Sequence, residues 1–258
     1  ANISTTGGSI ALKANDALAN AANRDAGTGR IVMAAGTTLA TTTLGDITLS
    51  AAGASLLGDI RAAGSLTLAQ AGAPVTYAQQ PGSSVTTGGA FTLQPGATLQ
   101  AGTTTYQISG DWVNRGLFEP GLSTVILTDA SQPSTILGNN TFYHFTSVTP
   151  AKQLSFEAGA TQTILGSFTV KGEKFKLIGL RSTDPGGLQW RLDPRGSASV
   201  QFVHLGDAWN LSPTPIKALP SNSFGNNTGW DTDPIWVATA AGNWSTAANW
   251  DTGVVPGS

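Results

Sequence analysis

The sequence contains no cysteine, a single methionine, and only 11% charged residues in a chain of 258. Without cysteine, disulfides, thiolate catalysis and cysteine-ligated metal sites are excluded. A formal net charge of −2 provides no basic field, so we expect neither nucleic acid nor an anionic membrane as a partner. No apolar run approaches the roughly 18 residues of a membrane helix, and we therefore expect no membrane span in this chain.

What the chain does contain is glycine, at 32 positions, with abundant alanine, threonine and serine. Leucine, isoleucine, valine and phenylalanine recur from one end to the other. Disordered chains are usually highly charged and poor in aliphatic residues, so this composition favours a folded protein.

A short pattern, glycine-x-apolar-x-apolar, recurs through the first hundred residues, for example in "GDITLSAAG" and "GSLTLAQAG". Its apolar pairs are Ile10/Leu12, Ile31/Met33, Ile47/Leu49, Leu66/Leu68 and Phe91/Leu93. Alternation with a period of two places both members of a pair on one face of a strand. The segments are too short for amphipathic helices.

Short strands in units of about twenty residues, joined by glycine turns, predict an all-β fold, a single-stranded right-handed parallel β-helix (β-solenoid). The competing interpretation is a β-sandwich, whose strands are usually longer and linked by hairpins. The absence of Asn-Gly and Asp-Gly dipeptides favours the solenoid. Residues 13–27 are rich in alanine and interrupt the pattern, so we expect a short helix or loop insertion there.

Three parts follow from this pattern. Residues 1–104 are predicted to be short-coil β-helix repeats, and residues 105–233 a continuation with longer coils and more aromatic residues. Residues 234–258 contain "WVATAAGNWSTAANWDTGVVPGS", and we interpret them as the start of a following unit or a cap that is truncated.

Several phrases resemble those of known exported proteins. "GDITLSA" and "GSLTLAQAG" are similar to repeats of filamentous-haemagglutinin-like bacterial surface proteins, and the tryptophan-rich end resembles the opening of an autotransporter-type β-helix unit. The resemblance implies a long exported scaffold at the bacterial cell surface or in the extracellular matrix. Individual members of such families differ greatly in what they bind, so the resemblance implies no ligand.

The more specific hypothesis for the basic and aromatic residues is a glycan-binding surface. Its candidate residues are Lys174 and Lys176 in "VKGEKFKLIGLR", Trp190 and Arg191 in "LQWRLD", and Trp244 and Trp250 near the end. The alternation around the two lysines predicts a strand with both ammonium groups pointing outward, and a solvated face explains that as well. The tryptophans equally suit a structural seam or cap.

The sequence gives little support for a catalytic or metal-binding site. Asp46 and Asp59 fit turn residues that bind backbone N–H groups, while Asp184, Asp193 and Asp207 come closer to a cluster. His144 and His204 show no metal-ligand spacing. We therefore assign no catalytic residue, metal site or cofactor, although turn carboxylates leave weak calcium binding open.

The leading expectation is a non-enzymatic structural segment of a large exported bacterial surface or matrix protein, an adhesin-like stalk or filament building block. End-to-end self-association is expected from the unpaired backbone of an open coil. A polysaccharide-binding β-helix module is the first alternative, with cell-surface or matrix polysaccharide as its partner. A polysaccharide lyase or hydrolase, which needs two or three facing carboxylates, is the second.

Overall fold

The structure is a computed structural model that describes residues 2–15, 29–233, 236, 238, 241–250 and 255. Within these residues the regular secondary structure is almost entirely β-strand, with one short 3₁₀ helix, and every pairing between named strands is parallel. The expectation of an all-β parallel solenoid is thereby confirmed.

The strands form two long sheets and two short ones. The first sheet contains β1 (Ile3–Thr5), β3 (Thr38–Thr41), β6 (Asp59–Ala62), β9 (Ser84–Thr87), β12 (Thr105–Ile108), β15 (Thr124–Leu127), β17 (Asn140–Ser147), β19 (Thr161–Lys171), β21 (Trp190–Pro194), β22 (Ser197–Gln201) and β24 (Ala208–Asn210). The second contains β2 (Ile10–Ala14), β4 (Ile47–Ala51), β7 (Leu66–Gln70), β10 (Phe91–Leu93), β13 (Trp112–Asn114), β16 (Ser134–Leu137), β18 (Gln153–Phe156), β20 (Ile178–Ser182), β23 (Val203–Leu205) and β26 (Asn222–Ser223). The third contains β5 (Ser55–Leu57), β8 (Val75–Gln79), β11 (Ala97–Gln100) and β14 (Leu117–Glu119), and the fourth β25 (Ile216–Lys217) and β27 (Trp230–Asp231).

The apolar pairs form rows in the second sheet, as the repeat predicts. One row pairs in register through Ile10, Ile47, Leu66, Phe91 and Trp112. From Ile47 onward these side chains are fully buried. The sequence pattern therefore identified the core of this sheet directly.

The pair Ile31 and Met33 matches the repeat pattern but does not join these rows. Between them, Val32 bridges Leu56, so this segment lies beside the third sheet. The strand β2 pairs directly with β4, so the segment belongs to the long connection between these two strands. A two-residue alternation identifies a strand without identifying its sheet.

A column of glycines lines the corner that leads into the second sheet. A Cβ atom on Gly64 would lie 3.1 Å from the carbonyl carbon of Gly45, one on Gly89 3.1 Å from that of Gly64, and one on Gly110 2.7 Å from that of Gly89. Successive coils thus approach each other here more closely than any side chain allows. The glycine of the repeat is required by packing between coils.

The form of the coil changes after β14, where the third sheet ends. In the next coil a single long strand, β17, pairs with β15 through its second half, while its first half lies next to β14. The register between β17 and β19 shifts between Phe142 and His144, where β19 has one residue more, and this bulge takes the place of a turn between two strands. We call the coils up to β14 the three-sheet region, and those from β15 to β26 the two-sheet region.

The predicted boundary between residues 104 and 105 stays a prediction, and both long sheets pass through it without a break. Of the insertion expected at residues 13–27, Lys13 and Ala14 belong to β2 and residues 16–28 lie outside the described residues. Much of the final part, 234–258, also lies outside them.

Candidate functional site

Lys174 and Lys176 lie in a tight turn, and the prediction of a strand with alternating lysines is wrong. The backbone N–H of Lys176 donates a hydrogen bond to the carbonyl of Glu173 at 2.9 Å, which closes the turn over residues 173–176. Phe175 has a φ of 65° and lies 89% exposed at its tip. The chain has to reverse between β19 and β20, and this requirement overrides the alternating pattern.

Both lysines are nevertheless exposed, as expected. Within the described residues no carboxylate lies within ion-pair distance of either ammonium group. The Nζ atom of Lys174 lies 5.1 Å from the centre of the Phe175 ring. The turn therefore presents an aromatic ring between two cations.

Trp190 lies in the core, so its placement does not fit the expected glycan contact. Its side chain is 0% exposed, and its ring stacks on Phe156 with centres 4.1 Å apart. A fully buried ring has no face for a sugar. As the first residue of β21, Trp190 points inward, and its neighbour Arg191 therefore points outward.

Arg191 stacks on Trp209, an exposed indole that the sequence reasoning missed. The two residues pair in register between β21 and β24, and the guanidinium carbon of Arg191 lies 5.5 Å from the indole centre. Trp209 is 39% exposed. The alternation of "DAWN", with Ala208 and Asn210 buried, was the signal that could have identified it as an outward residue.

A second aromatic and cationic stack lies on the outer face of the second sheet. The Arg181 guanidinium carbon lies 3.4 Å from the centre of the Phe224 ring, and the His204 ring stacks on Phe224 at 3.2 Å. Burial, and then the charge of Arg181, lower the pKa of His204 to about 4. At neutral pH this imidazole is uncharged, and Phe224 already has two partners.

Trp244 and Trp250 form a small cluster with Trp236. The Trp250 ring meets that of Trp244 at 4.3 Å and that of Trp236 at 5.2 Å, both edge to face. The Nε1 atom of Trp250 donates a hydrogen bond to the Trp244 carbonyl. Trp250 is 5% exposed, whereas Trp244 is 60% exposed, so of these two predicted residues Trp244 offers a ring to solvent and Trp250 does not.

The aspartates are engaged with backbone amides and do not converge. Asp184 Oδ2 accepts a hydrogen bond from the Leu188 N–H, and Asp207 Oδ1 accepts one from the Gly186 N–H. Asp193 pairs with Arg195 at the far end of β21, roughly 13 Å further along the strand. A glycosidase pair lies about 5 to 9.5 Å apart, so Asp193 lies too far from the other two carboxylates to form such a pair with either.

The expected backbone partners of Asp46 and Asp59 are found in the next coil. Asp46 Oδ1 accepts a hydrogen bond from the Ser65 N–H and Asp59 Oδ1 from the Ser84 N–H, each at 2.7 Å. Among the described residues no group of three or more histidine, aspartate or glutamate side chains could hold a metal ion. His144 Nδ1 lies 2.7 Å from the Ser167 hydroxyl, within the sheet.

Lys152 is a fully buried lysine that sequence reasoning also missed. Its Nζ atom donates hydrogen bonds to the carbonyls of Ser109, Asp129 and Gln132 at 2.8, 3.0 and 2.8 Å. Burial lowers its pKa to about 8, opposed by the charges of Asp129 and Asp111. The group therefore stays charged at pH 7 and uses all three of its N–H bonds to join neighbouring coils.

No protein-family model, curated protein or solved structure matches this chain. Among the residues described, no helix has the length and hydrophobicity needed to cross a bilayer. The solenoid is compatible with the resemblance to bacterial β-helix proteins at the level of architecture, and the particular families stay a prediction.

Proposed function

We propose that the chain is a structural segment of an exported bacterial surface or matrix protein, in which the rigid stacked coils are themselves the working part. The observation that carries this proposal is the continuity of the two long parallel sheets from β1 to β26. Backbone hydrogen bonds along the solenoid axis join every coil to the next, and buried side chains form rows inside. Such a fold resists extension without any ligand.

The localisation can be tested on cells that make the protein. Antibodies against the purified chain should label intact cells, and protease added outside should remove the label. Labelling that appears only after permeabilisation would contradict export. The expectation that copies stack end to end is tested separately, by sedimentation of the purified chain over a range of concentrations.

The structural role can be tested by removing one whole coil. Leu66 and Phe91 pair in register, so deletion of residues 66–90 rejoins equivalent points of adjacent coils. We expect this variant to fold and to reach the cell surface, but to form a shorter rod in electron micrographs. Deletion of residues 66–78 alone is the matched control, and it should abolish folding because it ends out of register. A whole-coil deletion that fails to fold would contradict the proposed modular construction.

Polysaccharide binding is a second candidate, favoured by the outward pair of Arg191 and Trp209. An exposed indole beside a guanidinium that has no carboxylate partner among the described residues suits contact with a sugar ring and an acidic group. Binding to a panel of acidic and neutral oligosaccharides tests it. A wild-type chain that binds none of them would remove this candidate.

A further inference from the structure

The turn at residues 173–176 holds an aromatic residue in a conformation that disfavours it. Phe175 has a φ of 65°, in the left-handed region that glycine and asparagine adopt readily and bulky residues rarely do. Its side chain is 89% exposed, so burial of the ring does not offset that strain. Residues in such a conformation concentrate at ligand clamps and other functional sites.

A cleft of about 240 Å³ opens beside this turn. Its apolar lining includes Phe175, Leu177, Phe202 and Pro220. Phe202 also has a left-handed backbone, with a φ of 51°. The cleft is smaller than the 300–1,000 Å³ typical of drug-sized ligands, so a single ring of a longer molecule fits it better than a large compact ligand.

The polar lining of the cleft suits hydroxyl groups. Asn222 is exposed, and its side-chain amide makes no hydrogen bond within the described residues. Asp233 accepts a hydrogen bond from the Ser221 N–H through Oδ2, which leaves its other oxygen available. Acyl chains would leave these groups without partners, whereas a sugar ring would satisfy them.

The rim of the cleft is cationic. Lys174 lines the cleft directly, and Lys176 follows Phe175 in the same turn. Neither has a carboxylate partner among the described residues. Asp233 also lines the cleft and Glu173 lies in the same turn, so an acidic group of a ligand would have to face the two lysines and point away from these carboxylates.

We infer that this turn and its cleft bind one ring of an acidic polysaccharide, with Phe175 stacked on the sugar and the two lysines facing carboxylate or sulfate groups. The inference deepens the second candidate function and rests on it. It assigns binding to a different surface from the pair of Arg191 and Trp209, so the two can be separated by mutation.

The first test is a pair of substitutions to glycine. Phe175→Gly removes the ring and relieves the strain, so we expect an unchanged or higher melting temperature together with about tenfold weaker binding of oligogalacturonate in calorimetry. Leu44 is the matched control, because it is also apolar, 85% exposed and left-handed, with a φ of 60°. Leu44→Gly should likewise not lower the melting temperature and should leave binding unchanged.

The second test removes charge. The double variant Lys174→Gln, Lys176→Gln should weaken binding and reduce its dependence on salt, because fewer charged contacts remain to be screened. Dextran, a neutral polysaccharide, should bind more weakly than oligogalacturonate to the wild type. Equal binding of both would overturn the proposed role of the lysines.

The outcomes separate the inference from the function on which it rests. If the wild type binds no oligosaccharide, both fail. If it binds oligogalacturonate and Trp209→Ala abolishes binding while Phe175→Gly does not, polysaccharide binding stands and this site is wrong. Binding to phosphatidylglycerol vesicles through Phe175, without oligogalacturonate binding, would identify a membrane contact and overturn the inference.

Discussion

The three-sheet and two-sheet regions build the same corner by different means. In the three-sheet region the chain enters the second sheet through stacked glycines, from Gly45 through Gly64 and Gly89 to Gly110. In the following coil Ser134 holds this position, two residues before Ile136, the partner of Trp112. Beyond it, the ammonium group of Lys152 fills the corner and binds the Ser109 carbonyl. One region closes its corners by backbone contact, the other by side chains.

The interiors of the two regions also differ in how much they depend on particular side chains. The first coils, up to β7, stack leucine and isoleucine on each other, whereas buried aromatic rings enter from Tyr77 onward, and a chain of buried amides spans the junction between the two regions. Asn140 accepts hydrogen bonds from Trp112 Nε1 and Asn114 Nδ2, and donates one to Gln162. The polar atoms of large buried side chains need partners inside. Side-chain chemistry therefore matters more from the junction onward.

The strongest test of this contrast is Lys152→Ala. It leaves three buried carbonyls without their donor as well as a cavity, and we expect the free energy of unfolding to fall by about 3–5 kcal/mol. Lys217→Ala, at an exposed position, should change it by less than about 0.5 kcal/mol. Urea denaturation measures both. A loss below about 1 kcal/mol for Lys152→Ala would show that the corner does not depend on the ammonium group.

Gly110→Ala tests the other way of closing the corner. The added Cβ would meet the Gly89 backbone at 2.7 Å, and backbone cannot move as readily as a side chain. We expect a loss of about 2–3 kcal/mol in the free energy of unfolding. Gly7→Ala is the control, since no atom lies within 4 Å of that Cβ. Equal stability of the two variants would mean that the glycine column reflects composition alone.

The smallest expected effect is a dependence on pH that is confined to the two-sheet region, which contains both histidines. His204 has a pKa of about 4 in the folded chain, against an ordinary value of 6.5. Between these values the unfolded state binds more protons, so the contribution of His204 to stability falls as pH falls from 6.5 to 4. Since this imidazole is only partly buried, screening limits the effect to roughly 1 kcal/mol.

Titration of the His204 ring by NMR, assigned with His204→Asn, should give a pKa well below 6.5. Phe224→Leu should raise it, because the stacked ring contributes to the burial. Hydrogen exchange at pH 5 should then accelerate in β20, β23 and β26 more than in β4 and β7. An ordinary pKa for His204 would contradict the stack.

The repeat predicted most of the fold because it is local. Period-two pairs such as Leu66/Leu68 specify which side chains point inward, and stacking in register follows from their repetition. The sheet that a strand joins does not follow from its local sequence, which is why Ile31 and Met33 share the repeat pattern without joining the rows of the second sheet. The turn at Lys174 looked like a strand because its charged and apolar residues alternate. This alternation carries no information about where the chain must reverse.

The candidate sites were predictable only in part. Lys174 and Lys176 are exposed, as expected, and Arg191 points outward but is half-buried, while the adjacent Trp190 is buried because strand alternation sends it inward. Trp209 and Phe224 gain their cationic partners from neighbouring coils, and coil lengths in this chain vary too much for such contacts to be read from spacing. Lys152 was missed because a single lysine in a turn resembles any solvated one.

The positions of the tryptophans determine which part of the solenoid a fluorescence experiment reports on. All seven tryptophans occur at residue 112 or later, so Trp112, packed against Phe91 at 4.6 Å, is the earliest indole along the solenoid. Fluorescence excited selectively in tryptophan therefore reports on the junction and everything after it, and is blind to the first coils. Circular dichroism, which detects all of the backbone, would have to accompany it, and a gap between the two melting curves would reveal that the regions unfold separately.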